Sequence, residues 1–189
     1  MKLAIGVPNT GIIKARTVSS LIAMSRALTC DYVFLFKEGS VIHWNREEIV
    51  KEAIKQNCTH LLFVDSDMYF EPQSANQLIA RKKYIIGVHA NRRSLPLTTT
   101  VIMSEEKKLR LKELAPDGLT TCDSVGTGFM LINLDVFKKI KKPWFFWENK
   151  EGELGMGEDF WFCERAKEAG YEIFVDLSVP MKHLGDYLY

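Results

Sequence analysis

Two carboxylates separated by one residue, Asp65-Ser66-Asp67, follow the apolar run HLLFV. The run reads as a buried parallel strand, whose carboxyl end is where open α/β sheets place ligands. Alternation along an extended chain puts Asp65 and Asp67 on the same side. Two carboxylates held that close call for a cation nearby. Oxygen donors select a hard ion, Mg2+ or Mn2+, shared with substrate phosphates. The competing reading is an Asp-rich turn that caps the next helix.

Further segments carry chemistry. Gly126-Thr127-Gly128 precedes FMLIN and allows unusual backbone angles or close approach to a ligand, although a bulge or tight turn explains such a pair equally well. Gly157-Glu158-Asp159 heads a helical stretch, where a carboxylate serves either as a general base or as a cap facing the helix dipole. His183 lies beyond the last strand in VPMKHLG, and a neutral imidazole suits a Mn2+ site. Arg92-Arg93 is a phosphate-gripping pair. KKIKKPWFFW, at 138–147, joins lysines to aromatics. It offers a peripheral membrane contact or rings for stacking on sugars, against a solvated face over partly buried aromatics.

These residues need elements to position them. LAIGV, DYVFLF, THLLFVD and KYIIGVHA read as strands at 3–7, 31–36, 59–65 and 83–90. Helices are expected between them. The first spans 15–28, with Val18, Leu21, Ile22, Ser25 and Leu28 on one face. The second spans 45–57, with Asn45 as N-cap and Glu48 as its capping-box partner, and the third 72–82. Such alternation implies right-handed crossovers and a mostly parallel sheet. Residues 97–114 suggest an antiparallel excursion. LDVFKKI is a short helix, 158–169 a longer one closed by Gly170, and YEIFVD a last strand.

The 189 residues suit one domain with a sizeable core. With 25 Lys+Arg against 24 Asp+Glu, the net charge of +1 argues against a nucleic-acid binder. No apolar run nears the ~18 residues of a spanning helix, and MKLAIGVP reads as a strand rather than a signal peptide. Cys30, Cys58, Cys122 and Cys163 show no metal or redox spacing. Reduced thiols in the cytoplasm are the expectation.

In their order, these segments resemble the GT-A fold glycosyltransferases over nearly the whole chain. HLLFVDSDMYF is similar to the DxD strand, VGTGFMLINLDVF to the segment after the acceptor-side strands, and GEDFWFCERAKEAGYEIFVD to the "ED" helix and following strand. KHLG is similar to the C-terminal metal-binding histidine. The resemblance implies a single α/β GT-A domain over 1–189. About 1–95 would form the nucleotide-binding half and about 96–189 the acceptor half. It implies a Mn2+ or Mg2+ ion on Asp67 and His183, with Asp65 at the ribose or the metal shell. Asp159 would be the base, with Glu158 beside it, and tilts the reading to inversion. Gly126 and Gly128 would line the donor-sugar cleft, and Arg92 and Arg93 would reach phosphate or acceptor. The donor would be a UDP- or GDP-linked sugar, and the acceptor a glycan, protein or lipid. Related chains often carry Arg-Asn where this one has Asn45-Arg46, so no role is carried over there.

Other classes fit less well. A haloacid-dehalogenase phosphatase carries its acid pair on an early strand followed by Thr or Val, whereas Met68 follows here. A nucleotidyltransferase would need a Gly-rich basic first loop, where this chain has GVPNTG. A nucleotide-sugar binder without turnover stays open.

Overall fold

The computed structural model describes residues 1–91, 99–104, 117–148 and 155–185. Arg92, Arg93 and most of the 97–114 excursion lie outside the described residues.

The chain order is β1 (Lys2–Asn9), α1 (Ala15–Ala27), β2 (Asp31–Glu38), α2 (Ile42–Lys55), β3 (His60–Val64), β4 (Met68–Phe70), α3 (Ser74–Ala80) and β5 (Ile85–Val88). Next come β6 (Val101–Ile102), β7 (Leu119–Cys122), β8 (Ser124–Val125), β9 (Phe129–Asn133) and α4 (Val136–Lys139). The last elements are α5 (Glu158–Glu168), β10 (Ile173–Asp176) and β11 (Met181–His183).

Seven strands form one sheet in the order β2-β1-β3-β9-β5-β10-β7. Five run the same way, while β9 and β7 oppose their neighbours. Two short antiparallel pairs, β4–β11 and β6–β8, stand apart. The second supplies the described part of the expected excursion.

Burial on both faces explains the apolar runs of β1, β3, β5 and β9, whereas the apolar edge strand β2 is largely exposed. Leu61 and Phe63 of β3 join the core beneath α2, α4 and α5, and Leu62 and Val64 join the core beneath α1 and α3. Helix α2 packs closely over β1 because Gly6 carries no side chain. A Cβ there would lie 2.5 Å from Ile49 Cγ2.

Two expectations need correction. Helix α2 begins at Ile42, so Asn45 is no cap; its Nδ2 donates to Gly39 O (2.9 Å) and Asn9 O (3.3 Å). On α1 the buried residues are Thr17, Ser20, Leu21 and Met24, while Val18 and Ile22 are exposed. Ser20 turns inward because its hydroxyl donates to Phe70 O at 2.9 Å. β9 runs between β3 and β5, so these two strands are not neighbours.

Gly6→Ala should lower stability by about 1–3 kcal/mol, because the β-branched Ile49 side chain cannot swing clear. Urea denaturation reads this directly. An unchanged midpoint would show that α2 shifts to admit the methyl group.

Candidate active site

Beyond Val64 the chain leaves the sheet in a turn. Met68 N–H donates to Asp65 O (3.3 Å), so Asp65-Ser66-Asp67 is not the extended segment that alternation assumed. Three distant segments hold the turn. Asp65 N–H donates to Gly128 O (2.9 Å), Lys14 N–H to Ser66 O (2.9 Å) and Leu184 N–H to Asp67 O (2.7 Å). Pairing of β4 with β11 sets His183 opposite Met68. His183 Nε2 then lies 3.1 Å from Asp67 Oδ1, and Nδ1 lies 3.3 Å from Asn91 O.

Both imidazole nitrogens therefore face acceptors. A neutral ring donates from one nitrogen only, so either tautomer makes one of these two contacts a hydrogen bond. Adjacent ligands of an octahedral ion with bonds of about 2.1 Å stand about 3.0 Å apart, close to the observed spacing. Among the described residues no group of three His, Cys, Asp or Glu forms a fuller metal cage. Asp67 and His183 could supply one oxygen and one nitrogen ligand to a divalent ion, with its other positions left to phosphate oxygens and water.

Asp65 is engaged elsewhere. Arg46, from the second turn of α2, is 2% exposed. Its Nη2 donates to Asp65 Oδ1 at 2.9 Å and its Nε to Glu158 Oε1 at 3.4 Å. The guanidinium lies 5.3 Å over the Phe63 ring. Burial opposes its charge, but Asp65, Glu158 and Asp159 outweigh that and hold it firmly protonated. Nη1 is buried without a hydrogen-bond partner among the described residues.

Glu158 and Asp159 open α5, after Gly157 as N-cap. Asp159 Oδ1 accepts the Phe160 N–H at 2.9 Å. Burial, then the neighbouring Glu158 charge, push the Asp159 carboxyl up to about 6, against the pull of Arg46.

A cavity of 140 Å3 is lined by Arg46, Asp65, Gly126, Gly128, Glu158, Asp159 and His183, among others. The two glycines serve space here rather than unusual angles. A Cβ on Gly126 would stand 3.5 Å from Asp159 Oδ2, and one on Gly128 3.4 Å from Asp65 Oδ2. All the candidate residues except Arg92, Arg93 and Asp67 thus share one cavity, with Asp67 against it through His183. Sequence reasoning missed Arg46. The signal was present: Arg46, Ile49, Val50 and Ala53 form one helical stripe, and starting the helix at Asn45 put Arg46 in a first turn, where an exposed charge is ordinary.

The aromatic segment divides. Trp144 and Phe145 are buried in the core, while Phe146 and Trp147 are exposed. Lys138 pairs with Asp135 at 2.6 Å, and Lys142 lies 4.5 Å over the Trp144 ring.

No protein-family model matches the chain, and no curated protein sequence matches it. Solved structures do. A197 from STIV superposes with a TM-score of 0.71 at 19% identity, over 98% of this chain and 87% of that one. S. aureus TarS (residues 1–349, in complex with UDP-GlcNAc) gives 0.57 at 15% identity, over 100% of this chain. GalNAc-T7, with UDP, GalNAc and Mn2+, gives 0.59 at 10% identity, over 99% of this chain. The fold is GT-A-like. The chain spans 60% of the TarS chain and 43% of the GalNAc-T7 chain. The inositol-1-phosphate CTP transferase from T. maritima shares the fold too, with a TM-score of 0.53 at 10% identity over 97% of this chain and 89% of that one.

Arg46→Met should cost about 3–5 kcal/mol, because it leaves Asp65 and Glu158 without their buried cation. Urea denaturation at pH 8 measures it. A loss below about 1 kcal/mol would show that solvent already neutralises the cluster.

Proposed function

We propose that this chain is a metal-dependent glycosyltransferase. It would move a sugar from a UDP- or GDP-linked donor to an acceptor hydroxyl, with inversion. The observation that carries the reading is Asp159, a carboxylate with a raised pKa that shares one cavity with His183, itself paired to Asp67. The fold-sharing structures of TarS and GalNAc-T7 contain UDP-GlcNAc, and UDP with GalNAc and Mn2+, which supports the donor class and the ion.

Asp67 and His183 would hold Mn2+ or Mg2+. That ion would act as a Lewis acid toward the departing diphosphate. Asp159 takes the acceptor proton, and its raised pKa matches it to work near neutral pH. Arg46 fixes Asp65 and Glu158 and so sets the cavity walls. Gly126 and Gly128 leave room for the donor sugar beside Asp159 and Asp65. A phosphatase would need Asp65 as nucleophile, and its engagement by Arg46 counts against that. Among the described residues no disulfide joins Cys30, Cys58, Cys122 and Cys163. Among the described residues no helix is long and apolar enough to cross a membrane.

A thermal-shift screen of nucleoside diphosphates with and without Mn2+ tests donor and ion together. One nucleotide should raise the melting temperature only when Mn2+ is present, and Asp67→Ala should abolish that shift. A full shift in Asp67→Ala would remove the metal role.

Asp159→Asn separates base from cap. The folded pKa of about 6 exceeds the ordinary 3.8, so the charged form burdens the fold. That burden is absent below pH ~4 and complete above pH ~6. The variant should gain on the order of 1 kcal/mol at pH 8, little at pH 4, and lose at least 100-fold in transfer rate. Wild-type rate should fall as pH drops through about 6. A retained rate would leave Asp159 as a helix-terminal charge only.

A further inference from the structure

A second concavity, an open cleft of 890 Å3, shares no described lining residue with the carboxylate cavity. One wall is the start of α2, which also carries Arg46 into the carboxylate cavity. The other is the segment from Lys142 to Phe146. Glu47 ties the walls together, accepting the backbone N–H of Trp144 and that of Phe145, the latter at 2.8 Å.

The lining is aromatic and charge-balanced. Trp44 is 66% exposed and Phe146 40% exposed. His43 bridges them, with ring centroids 6.1 Å and 6.2 Å away. Phe146 meets Trp161 at 5.3 Å, two residues beyond Asp159 on α5. Trp147 closes the row near Gly157, where an added Cβ would lie 3.7 Å from its ring. A band of rings thus leads from the mouth of the cleft to the start of α5. Three lysines (Lys37, Lys51, Lys142) and three glutamates (Glu38, Glu47, Glu48) stand around it. Lys51 and Glu48 already pair at 2.6 Å.

These features select a class of ligand. Trp44 and Phe146 leave aromatic surface open in a concave, largely apolar lining, the kind of surface that marks a ligand site. Aromatic faces carry negative charge density, and the C–H face of a pyranose ring is weakly positive, so the two stack. The lysine and glutamate termini offer donors and acceptors to a rim of hydroxyls. The volume falls within the range of sites for organic ligands. A balanced lining gives no preference to a polyanion. A membrane surface would call for a basic excess and a protruding apolar face, whereas this surface is concave and neutral.

We propose that the cleft seats a neutral saccharide, the acceptor whose hydroxyl meets Asp159. The acceptor role rests on the transfer reaction proposed above; the saccharide site itself is tested without transfer. A glycan array, followed by tryptophan-fluorescence titration of the oligosaccharides retained, should find a neutral glycan that binds without donor. Trp44→Ala and Phe146→Ala should each weaken that binding at least tenfold, while both variants melt within about 2 °C of wild type because the replaced rings are exposed. Three results would overturn the proposal: no neutral glycan retained, binding to anionic phosphatidylserine vesicles in place of glycans, or loss of the Mn2+-dependent nucleotide shift in Trp44→Ala with glycan binding intact. Glycan binding that depends on Trp44, in a wild-type protein showing no nucleotide shift, would support the cleft and reject the transfer reaction.

Discussion

One buried cation organises the functional end of this molecule. Arg46 sits beneath the cavity with Asp65 on one side and Glu158 on the other, and Asp159 within its field. These residues come from α2, the turn after β3, and the start of α5, segments remote in sequence. Removing a guanidinium from water is expensive, and only well-placed carboxylates offset the cost. The carboxylates, in turn, would repel one another without it. The cluster ties the three segments together beneath the cavity. Nη1 has no partner among the described residues and is a buried donor that an incoming oxygen atom would satisfy.

The Asp65–Asp67 turn is fixed by backbone rather than by charge. Segments around Lys14, Gly128 and Leu184 each contribute one hydrogen bond to it. The last also carries His183 to Asp67 through the β4–β11 pair. A residue close to the end of the chain is thereby delivered to the turn after the third strand. Side-chain placement here follows from strand register, a more rigid device than a loop alone.

Much of this was legible in the sequence. The apolar runs gave the strands, because burial on both faces leaves little freedom in their composition. Asp65, Asp67, Asp159 and His183 stood out by type and place. What stayed hidden depended on partners. Asn45 has the chemistry of a cap, yet its amide bridges the ends of β1 and β2, and only the folded chain shows those carbonyls. Ser20 is buried because Phe70 O awaits it. Arg46 resembled a surface charge until α2 gained its first turn. The position of β9 has no sequence signature, since FMLIN reads alike in a parallel or an antiparallel setting when both faces are covered.

That position of β9 bears on how the chain acquires its fold. β3 and β5 are 20 to 30 residues apart along the chain, yet they touch only through a strand that begins at Phe129. A growing polypeptide that has passed Val88 therefore carries one unpaired inner edge on β3 and two on β5, which await β9 and β10. The gap between β3 and β5 is filled only by β9, which pairs with both. Such late, long-range closure slows folding. The interval before it is when the nascent chain is most exposed to pairing with the wrong neighbour.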